Sequence, residues 1–170
     1  MTQAPYTAAR AMAARQREIA VSEFFLRNRH LLGFDSPHKA IVTTVREAVD
    51  NALDACEEAG ILPELRIEVT DQGDNRFLVT VEDNGPGIVE EQIARIFGKL
   101  LYGSKFHGLR QSRGQQGMGI SAAGMYGQLT TARPMRVRSR VAGEKQASEM
   151  LVSIDTGKNR PDIHRKRTKD

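Results

Sequence analysis

The sequence predicts an α+β fold, a two-layer sandwich of helices on a mixed, mostly antiparallel sheet. Helical and strand patterns follow one another in the order α-α-β-β-α-loop-α-β-β. Neighbouring strands are close enough along the chain to pair as hairpins, which favours this class over a doubly wound parallel sheet. The 170 residues suffice for one domain with a core but not for two. Hydrophobic residues make up 39% and charged residues 27%, as in ordinary globular proteins.

The helices are predicted from apolar periodicity and from their end signals. The first covers residues 18–31 and stops before Gly33. The second opens at Ser36-Pro37, because serine caps a helix and proline fits its first turn, and it ends near Ala59 before Gly60. Two shorter helices are predicted over residues 88–97 and 119–129.

The strands are predicted from alternation and β-branched residues. Residues 65–70 and 77–82 flank a polar stretch and read as a β-hairpin. Residues 135–141 and 149–154 alternate as two further strands. Between these regions, residues 98–116 are glycine-rich and basic, and a loop this long is usually functional or disordered.

Composition divides the chain into three parts. Residues 1–16 are a lead-in predicted to be disordered or helical, residues 17–155 form the domain, and residues 156–170 form a polar basic tail. The basic run 164–169 is either a solvated tail or a contact to nucleic acid. The single cysteine, Cys56, is predicted to be a small core residue. No stretch is long and apolar enough to span a membrane, so no membrane partner is expected.

The helix predicted over residues 36–59 has two chemically different faces. At roughly 100° per residue, its polar positions fall within about 60° of one another. These positions are Glu47, Asn51, Asp54 and Glu58. The opposite face carries Val42, Val45, Val49, Leu53 and Cys56 and is predicted to pack on the sheet. The polar face is either a solvated acidic surface or a place where a base and a neutral oxygen ligand meet something polar.

A second candidate feature is the turn that follows residues 77–82. Asp83, Gly85 and Gly87 form the pattern Asp-x-Gly-x-Gly. It is either a simple turn or a site where the carboxylate accepts a hydrogen bond from an exocyclic amino group. In the second case Gly87 lets a flat ring approach the backbone.

A third candidate feature surrounds the long loop. Residues 113–120 contain three glycines ahead of a helix, where free backbone N–H groups can cradle phosphate. This segment is neither a Walker A loop nor a dinucleotide fingerprint, and a glycine-rich linker is the alternative. Ser104 and Lys105 add a hydroxyl and an ammonium suited to phosphate oxygens, although an exposed lysine is common.

In their order and spacing, these segments resemble the GHKL ATPases, which include gyrase B, MutL and the histidine kinases and share the Bergerat ATP-binding fold. Residues 17–25, 54–63, 102–107 and 113–121 are more closely similar to the B subunits of the topoisomerase VI family. The similarity covers about residues 17–155.

The resemblance implies a role for each matching residue. Glu47 matches the general base, and Asn51 matches the ligand of Mg²⁺. Asp83 matches the carboxylate that reads adenine, with Gly87 against the base. The lid and the phosphate-binding segments correspond to Ser104, Lys105, Arg113, Gly114, Gln115, Gln116, Gly117, Met118, Gly119 and Ile120.

The resemblance also implies a function, the ATP-binding and ATP-hydrolysing module of a type IIB DNA topoisomerase. ATP-driven homodimerisation of B subunits would gate DNA strand passage, and a separate A subunit would cleave the DNA. A cytoplasmic or nucleoid-associated location follows. The alternatives are a nucleotide-sensing dimerisation module, a truncated relative with little turnover, or another GHKL class. Residues 104–106 and 113–117 weigh against a MutL-like protein or a chaperone.

The chain departs from the family pattern near its end. No strand with a Gly-Thr pair follows Ile154, and the later domain whose lysine reaches the γ-phosphate is not present. We therefore expect an incomplete domain, truncated at the C-terminus, with low activity on its own. It is either an N-terminal fragment or a truncated or stand-alone relative.

Overall fold

The computed structural model describes residues 21–100, 102 and 119–169. Within these ranges the helices are α1 (Val21–Asn28), α2 (Pro37–Ala59), α3 (Glu90–Gly98) and α4 (Gly119–Thr131). The strands are β1 (Leu65–Asp71), β2 (Phe77–Asp83), β3 (Met135–Ser139), β4 (Ala147–Asp155) and β5 (Arg160–Lys169). The predicted order of helices and strands is confirmed, with β5 in addition, whereas most of the loop predicted over residues 98–116 lies outside the described residues.

The long helix α2 has the ends that its sequence predicts. The Oγ of Ser36 accepts a hydrogen bond from the backbone N–H of Lys39 at 3.4 Å, which satisfies one of the free N–H groups of the first turn. Pro37 occupies the first helical position. Gly60 ends the helix with a φ of 67°, and its N–H donates to the carbonyl of Glu57 at 3.2 Å. Local capping chemistry therefore sets both bounds.

The strands form two antiparallel sheets. β1 and β2 make a hairpin in which Ile67 faces Val81 and Val69 faces Val79. β3, β4 and β5 make a second sheet in that order, with β4 at its centre. All the strand pairs in the described ranges are antiparallel. The predicted α+β class, with helices on mostly antiparallel strands, is confirmed.

The end of the chain corrects one expectation. Residues 156–170 were expected to be a polar tail, but Arg160–Lys169 form strand β5 against β4. A turn after Asp155 reverses the chain direction so that β5 runs beside β4. The Oδ1 of Asp155 stabilises this turn by accepting hydrogen bonds from the N–H groups of Gly157 and Lys158 at 3.0 and 3.1 Å. The strand was not predicted because its side chains are mostly polar, whereas its pairing depends on the backbone of β4.

The core of the described part of the chain consists of two clusters of buried residues. One joins Phe25 and Phe34 to Met125 of α4. The other joins Ile93 of α3 to the second sheet through Val137, Met150 and Val152. Helices α3 and α4 therefore lie on one side of β3–β4–β5. In the described part of the chain, no helix combines the length and the apolar character needed to cross a membrane.

Helix α2 packs on the hairpin with a narrower face than predicted. Cys56 is buried, as expected. Val42, which was predicted on the packed face, is instead 67% exposed, and this part of the prediction is wrong. The other buried positions of α2 are Ala40 and Ala52. Both side chains are small, so neighbouring elements can pack close to the backbone of the helix.

Candidate functional site

A close approach in the candidate site joins α2 to the first residue of α4. The carboxylate of Glu47 lies beside Gly119, so that a Cβ atom built on Gly119 would be 1.6 Å from Oε2 of Glu47. The side chain of Glu47 is only 13% exposed, and the guanidinium of Arg46 lies 3.5 Å from its Oε1. Two segments that sequence analysis selected independently are thus adjacent.

Asn51 and Asp54 lie about one and two turns further along α2, on the same side of the helix as Glu47. Both residues are half-buried, and each interacts with a neighbour. Glu47 and Asn51 are four positions apart, so they are offset by about one helical turn. The helix therefore presents a carboxylate and a carboxamide to the same region.

The turn after β2 has an ordered Asp83. Its Oδ1 accepts a hydrogen bond from the N–H of Gly85 at 2.9 Å, the Asx-turn geometry. Asp83 is exposed. The position of a Cβ on Gly85 would lie 3.4 Å from the Sγ of Cys56, so the turn sits against α2. Cys56 is nine residues beyond Glu47, a distance of about 13 Å along a helix axis.

Gly87 joins this turn to the second sheet. Its φ is +78°, a backbone conformation that residues with a side chain rarely adopt. A Cβ atom built on Gly87 would also lie 2.2 Å from the carbonyl oxygen of Arg140. The N–H of Ile88 donates to the Oγ of Ser139 at 2.7 Å. Gly87 is therefore needed for a close backbone approach, whether or not a flat ring also lies near it.

Asn84 holds the turn in place, and sequence analysis missed it. Its Oδ1 accepts from the N–H of Glu64 at 2.9 Å, and its Nδ2 donates to the carbonyl of Leu62 at 3.0 Å. The Sγ of Cys56 is 3.7 Å from the same Oδ1. No local signal in the sequence marks this role, because the two backbone partners are 20 and 22 positions away.

Several predicted site residues lie outside the described ranges. They are Ser104, Lys105, Arg113, Gly114, Gln115, Gln116, Gly117 and Met118. Gly119 and Ile120 are described at the start of α4. Tyr102, just ahead of Ser104, donates its hydroxyl to Oε1 of Gln92 on α3 at 2.9 Å, which fixes where this part of the chain leaves α3.

The described surface also has a shallow, mainly apolar depression at the end of α2. It is lined by Leu53, Glu57, Gly60, Ile61, Leu62 and Pro63. None of the predicted site residues within the described ranges lines it.

Comparison with known proteins agrees with this arrangement. Residues 37–159 match the family described as histidine kinase-, DNA gyrase B-, and HSP90-like ATPase. The chain belongs to this ATPase family. The matched range of the ATPase family begins at α2 and ends in the turn before β5, so it includes Glu47, Asn51, Asp83 and Gly119.

Individual relatives narrow the comparison within the ATPase family. The chain is 57% identical to the B subunit of type 2 DNA topoisomerase 6 from Archaeoglobus fulgidus over 152 residues. This aligned stretch covers 89% of the present chain and 25% of the Archaeoglobus protein. The protein of the same name from Halobacterium salinarum is also 57% identical over 152 residues, with 89% and 19% covered. That from Methanosarcina barkeri is 50% identical over 165 residues, with 97% and 27% covered. The resemblance inferred from the sequence is confirmed.

The chain spans about a quarter or less of the length of these relatives. It corresponds to an ATPase domain homologous to part of the topoisomerase subunit. The family assignment thus applies to residues 37–159 of this chain and does not extend to the activity of a whole topoisomerase subunit.

Proposed function

We propose that this chain is the ATP-binding and ATP-hydrolysing module of a type IIB DNA topoisomerase. The contact between Glu47 and Gly119 carries the proposal, since it joins a carboxylate base to the glycine-rich start of a helix. The identity of 57% to a topoisomerase subunit supports it. In the full assembly, ATP binding would dimerise two B subunits into a gate, and an A-type subunit would cleave DNA. The location is cytoplasmic or nucleoid-associated.

Glu47 is the proposed general base. A water held by its carboxylate attacks the γ-phosphorus and passes its proton to Glu47, while the bond from the γ-phosphorus to the bridging oxygen breaks and ADP leaves. The side chain of Glu47 is mostly buried, which limits competing water around the carboxylate. Phosphoryl transfer depends mainly on such positioning and on charge neutralisation.

Asn51 and the glycine-rich segment are proposed to hold the triphosphate. A neutral carboxamide oxygen suits Mg²⁺, which keeps several waters and takes phosphate oxygens instead of an all-protein cage. Mg²⁺ would neutralise charge on the phosphate oxygens. Backbone N–H groups at the start of α4 favour the same anionic group. Ser104, Lys105 and residues 113–118 are proposed to cover it.

Asp83 is the proposed reader of adenine. An exposed carboxylate at the end of β2 accepts a hydrogen bond from the exocyclic amino group of adenine, and guanine carries a carbonyl oxygen at that position. The turn is held to the rest of the fold by Asn84 and Gly87. ATP is therefore the expected nucleotide, rather than GTP.

Nucleotide binding is tested by thermal unfolding with a non-hydrolysable ATP analogue and Mg²⁺. Ligand at 100 times its Kd stabilises the folded state by about 2.7 kcal/mol, so the melting temperature should rise. The GTP analogue should give little shift. Asp83→Ala should weaken ATP binding by about 10- to 100-fold, the loss expected for a hydrogen bond to a charged group.

A matched control exists at the other end of the same hairpin. Asp71 ends β1, and its Oδ1 accepts from the N–H of Gly73 at 2.7 Å, the same turn geometry as Asp83. Asp71→Ala removes this turn bond and should leave the nucleotide shift unchanged. Equal shifts in the two variants would contradict the role of Asp83.

Hydrolysis is tested with Glu47→Gln, which keeps the size of the side chain. Turnover should fall by about 10²- to 10⁴-fold, while the analogue-induced shift remains. Unchanged turnover would overturn the assignment of the base. A parent chain that shows the shift but no turnover would favour the alternative of a nucleotide-sensing module.

A further inference from the structure

Strand β5 separates the terminal basic residues onto two faces of the second sheet. Lys166 pairs with Met150 in register, and its Nζ lies 2.5 Å from Oε1 of Glu90 on α3. It thus lies on the side covered by the helices. Because side chains alternate along a strand, Arg165 and Arg167 lie on the opposite side, which we call the outer face.

The outer face carries four arginines in two rows across the three strands. Leu151 at the centre of one row has Arg136 of β3 on one side and Arg165 of β5 on the other. In the next row, Arg138 and Arg167 flank Glu149 in the same way. All four arginines are exposed. In the sequence only the basic run at the end of the chain stands out, whereas strand pairing places Arg165 and Arg167 near Arg136 and Arg138 of β3.

The geometry makes the four charges act together. Strands lie about 4.8 Å apart and residues rise about 3.4 Å, so the four Cα positions outline a rectangle of roughly 10 by 7 Å. These separations are within the Debye length of about 10 Å at 0.1 M salt. The positive potentials therefore add above the sheet.

One carboxylate lies among the arginines. Glu149 is 8% exposed and interacts with a neighbour, as does Arg138. Four guanidinium charges against one carboxylate leave a formal excess of three positive charges. Within the described residues Arg136 and Arg165 form no ion pair, and the residue between them is an apolar leucine. Folding gains little from such a grouping, since like charges repel.

We propose that this arginine face binds the phosphate backbone of duplex DNA. The choice of DNA among polyanions rests on the proposed topoisomerase function. Guanidinium groups bind phosphate oxygens through paired N–H donors, and an exposed antiparallel sheet presents them in a fixed plane. The four arginines flank Leu151 and Glu149, and neither residue is an aromatic that could stack on bases. The contact is therefore to the backbone and independent of base sequence.

Fluorescence anisotropy with a labelled 30-base-pair duplex, titrated at several salt concentrations between 50 and 200 mM, tests the proposal. The double variant Arg136→Gln/Arg165→Gln removes the two arginines beside Leu151 and spares the row that holds Glu149. If both contact phosphate, the slope of log K against log salt should become shallower by about 1.8. At 0.1 M salt, binding should weaken by roughly tenfold or more.

The control removes two charges from the other sheet. Arg66 and Arg76 are exposed residues of the hairpin region, so Arg66→Gln/Arg76→Gln lowers the net charge equally. This control should change the slope by much less. An unchanged salt slope in Arg136→Gln/Arg165→Gln would overturn the proposal, because these arginines would then not contact DNA. An equal reduction of the slope in this variant and in the control would also overturn it, because the arginines would then act only through net charge.

Nucleotide binding separates this proposal from the function on which it rests. The double variant Arg136→Gln/Arg165→Gln should keep the full analogue-induced melting shift, since neither arginine belongs to the nucleotide site. Loss of DNA binding with an intact shift supports the arginine face. A parent chain that binds DNA through these arginines but shows no nucleotide shift would contradict the proposed ATPase role and leave the DNA surface standing.

Discussion

The carboxylate of Glu47 and the α-carbon of Gly119 are packed so closely that no side chain fits between them. A Cβ atom on Gly119 would lie 1.6 Å from Oε2, 2.2 Å from Cδ and 2.7 Å from Cγ of Glu47. Real Cβ atoms essentially never come within 3.0 Å of another heavy atom. Glycine at position 119 therefore determines where the carboxylate of Glu47 can lie.

Gly119→Ala should displace Glu47 and slow ATP hydrolysis. A shift of about 1 Å in a catalytic group can cost roughly 100-fold in rate, so we expect a loss of that order. Steric strain of about 1–3 kcal/mol should lower the free energy of unfolding, partly offset by about 1 kcal/mol of helix propensity. Single-turnover hydrolysis and urea unfolding measure the two effects.

Gly127 provides the control on the same helix. Apart from its chain neighbours and the backbone of its own helix, no heavy atom lies within 4 Å of a Cβ built on Gly127. Gly127→Ala should leave hydrolysis unchanged and raise the free energy of unfolding by up to about 1 kcal/mol. If Gly119→Ala behaves like Gly127→Ala, the contact with Glu47 does not constrain the site.

Gly87→Ala should destabilise the fold more than the same change at Gly73. Both glycines have nearly the same positive φ, +78° and +76°. An alanine in this conformation costs about 1–2 kcal/mol at either position. At Gly87 the new methyl would also meet the carbonyl oxygen of Arg140 at 2.2 Å, whereas at Gly73 nothing lies within 4 Å. The difference in free energy of unfolding should be about 1–3 kcal/mol.

The comparison of Gly87 with Gly73 is informative because the backbone term cancels. Urea unfolding of both variants gives the difference directly. Equal destabilisation would mean that the turn after β2 can move away from β3 without cost. In that case Gly87 would not fix the position of Asp83 relative to the second sheet.

Asn84→Ala should loosen the turn that carries Asp83. The change removes the bonds from Oδ1 to the N–H of Glu64 and from Nδ2 to the carbonyl of Leu62. Each net hydrogen bond contributes about 0.5–1.5 kcal/mol, so the free energy of unfolding should fall by roughly 1–3 kcal/mol. Nucleotide affinity should fall as well, although Asn84 itself is a positioning residue.

Asn84→Asp separates the two bonds. It keeps an acceptor for the N–H of Glu64 but places a carboxylate oxygen against the carbonyl oxygen of Leu62, so its destabilisation should be at least that of Asn84→Ala. Thermal unfolding with and without the ATP analogue measures stability and affinity together. A variant that loses stability with no change in affinity would show that Asn84 supports the hairpin but not the adenine-reading turn.

Much of the fold was predictable because local chemistry determines it. Ser36, Pro37 and Gly60 set the ends of α2 through backbone bonds within a few residues. The β1–β2 hairpin follows from alternation around a short polar turn. Strand β5 was not predictable in this way, since its pairing is supplied by β4 and its own side chains are mainly charged.

The candidate site was predictable as a set of residues but not as an arrangement. Nothing near Glu47 in sequence indicates that Gly119 touches it, because that contact depends on how α2 and α4 pack. The role of Asn84 was missed for a similar reason, as its partners Leu62 and Glu64 are 22 and 20 positions away. The two rows of arginines also required the register of three strands.

Lys166→Gln should reduce stability at neutral pH and have little effect in acid. The Lys166 ammonium, and then the hydroxyl of Ser148 at 2.9 Å, hold the pKa of Glu90 below its ordinary value of 4.5. A carboxyl with a lowered folded-state pKa stabilises the protein above the unfolded pKa, and this contribution is lost as pH falls through the folded value. The cost of the variant should therefore be full above pH 4.5 and disappear below the folded pKa.

The pair between Lys166 and Glu90 is partly exposed, so solvent screening limits its contribution to roughly 0.2–1 kcal/mol. Urea unfolding at several pH values between about 3 and 7 measures the contribution of the ion pair. The control is Lys145→Gln, which removes the same charge from an exposed lysine. The difference between the two variants should shrink as the pH is lowered. A difference that stays constant, or grows in acid, would mean that Lys166 stabilises β5 through its aliphatic stem rather than through the carboxylate of Glu90.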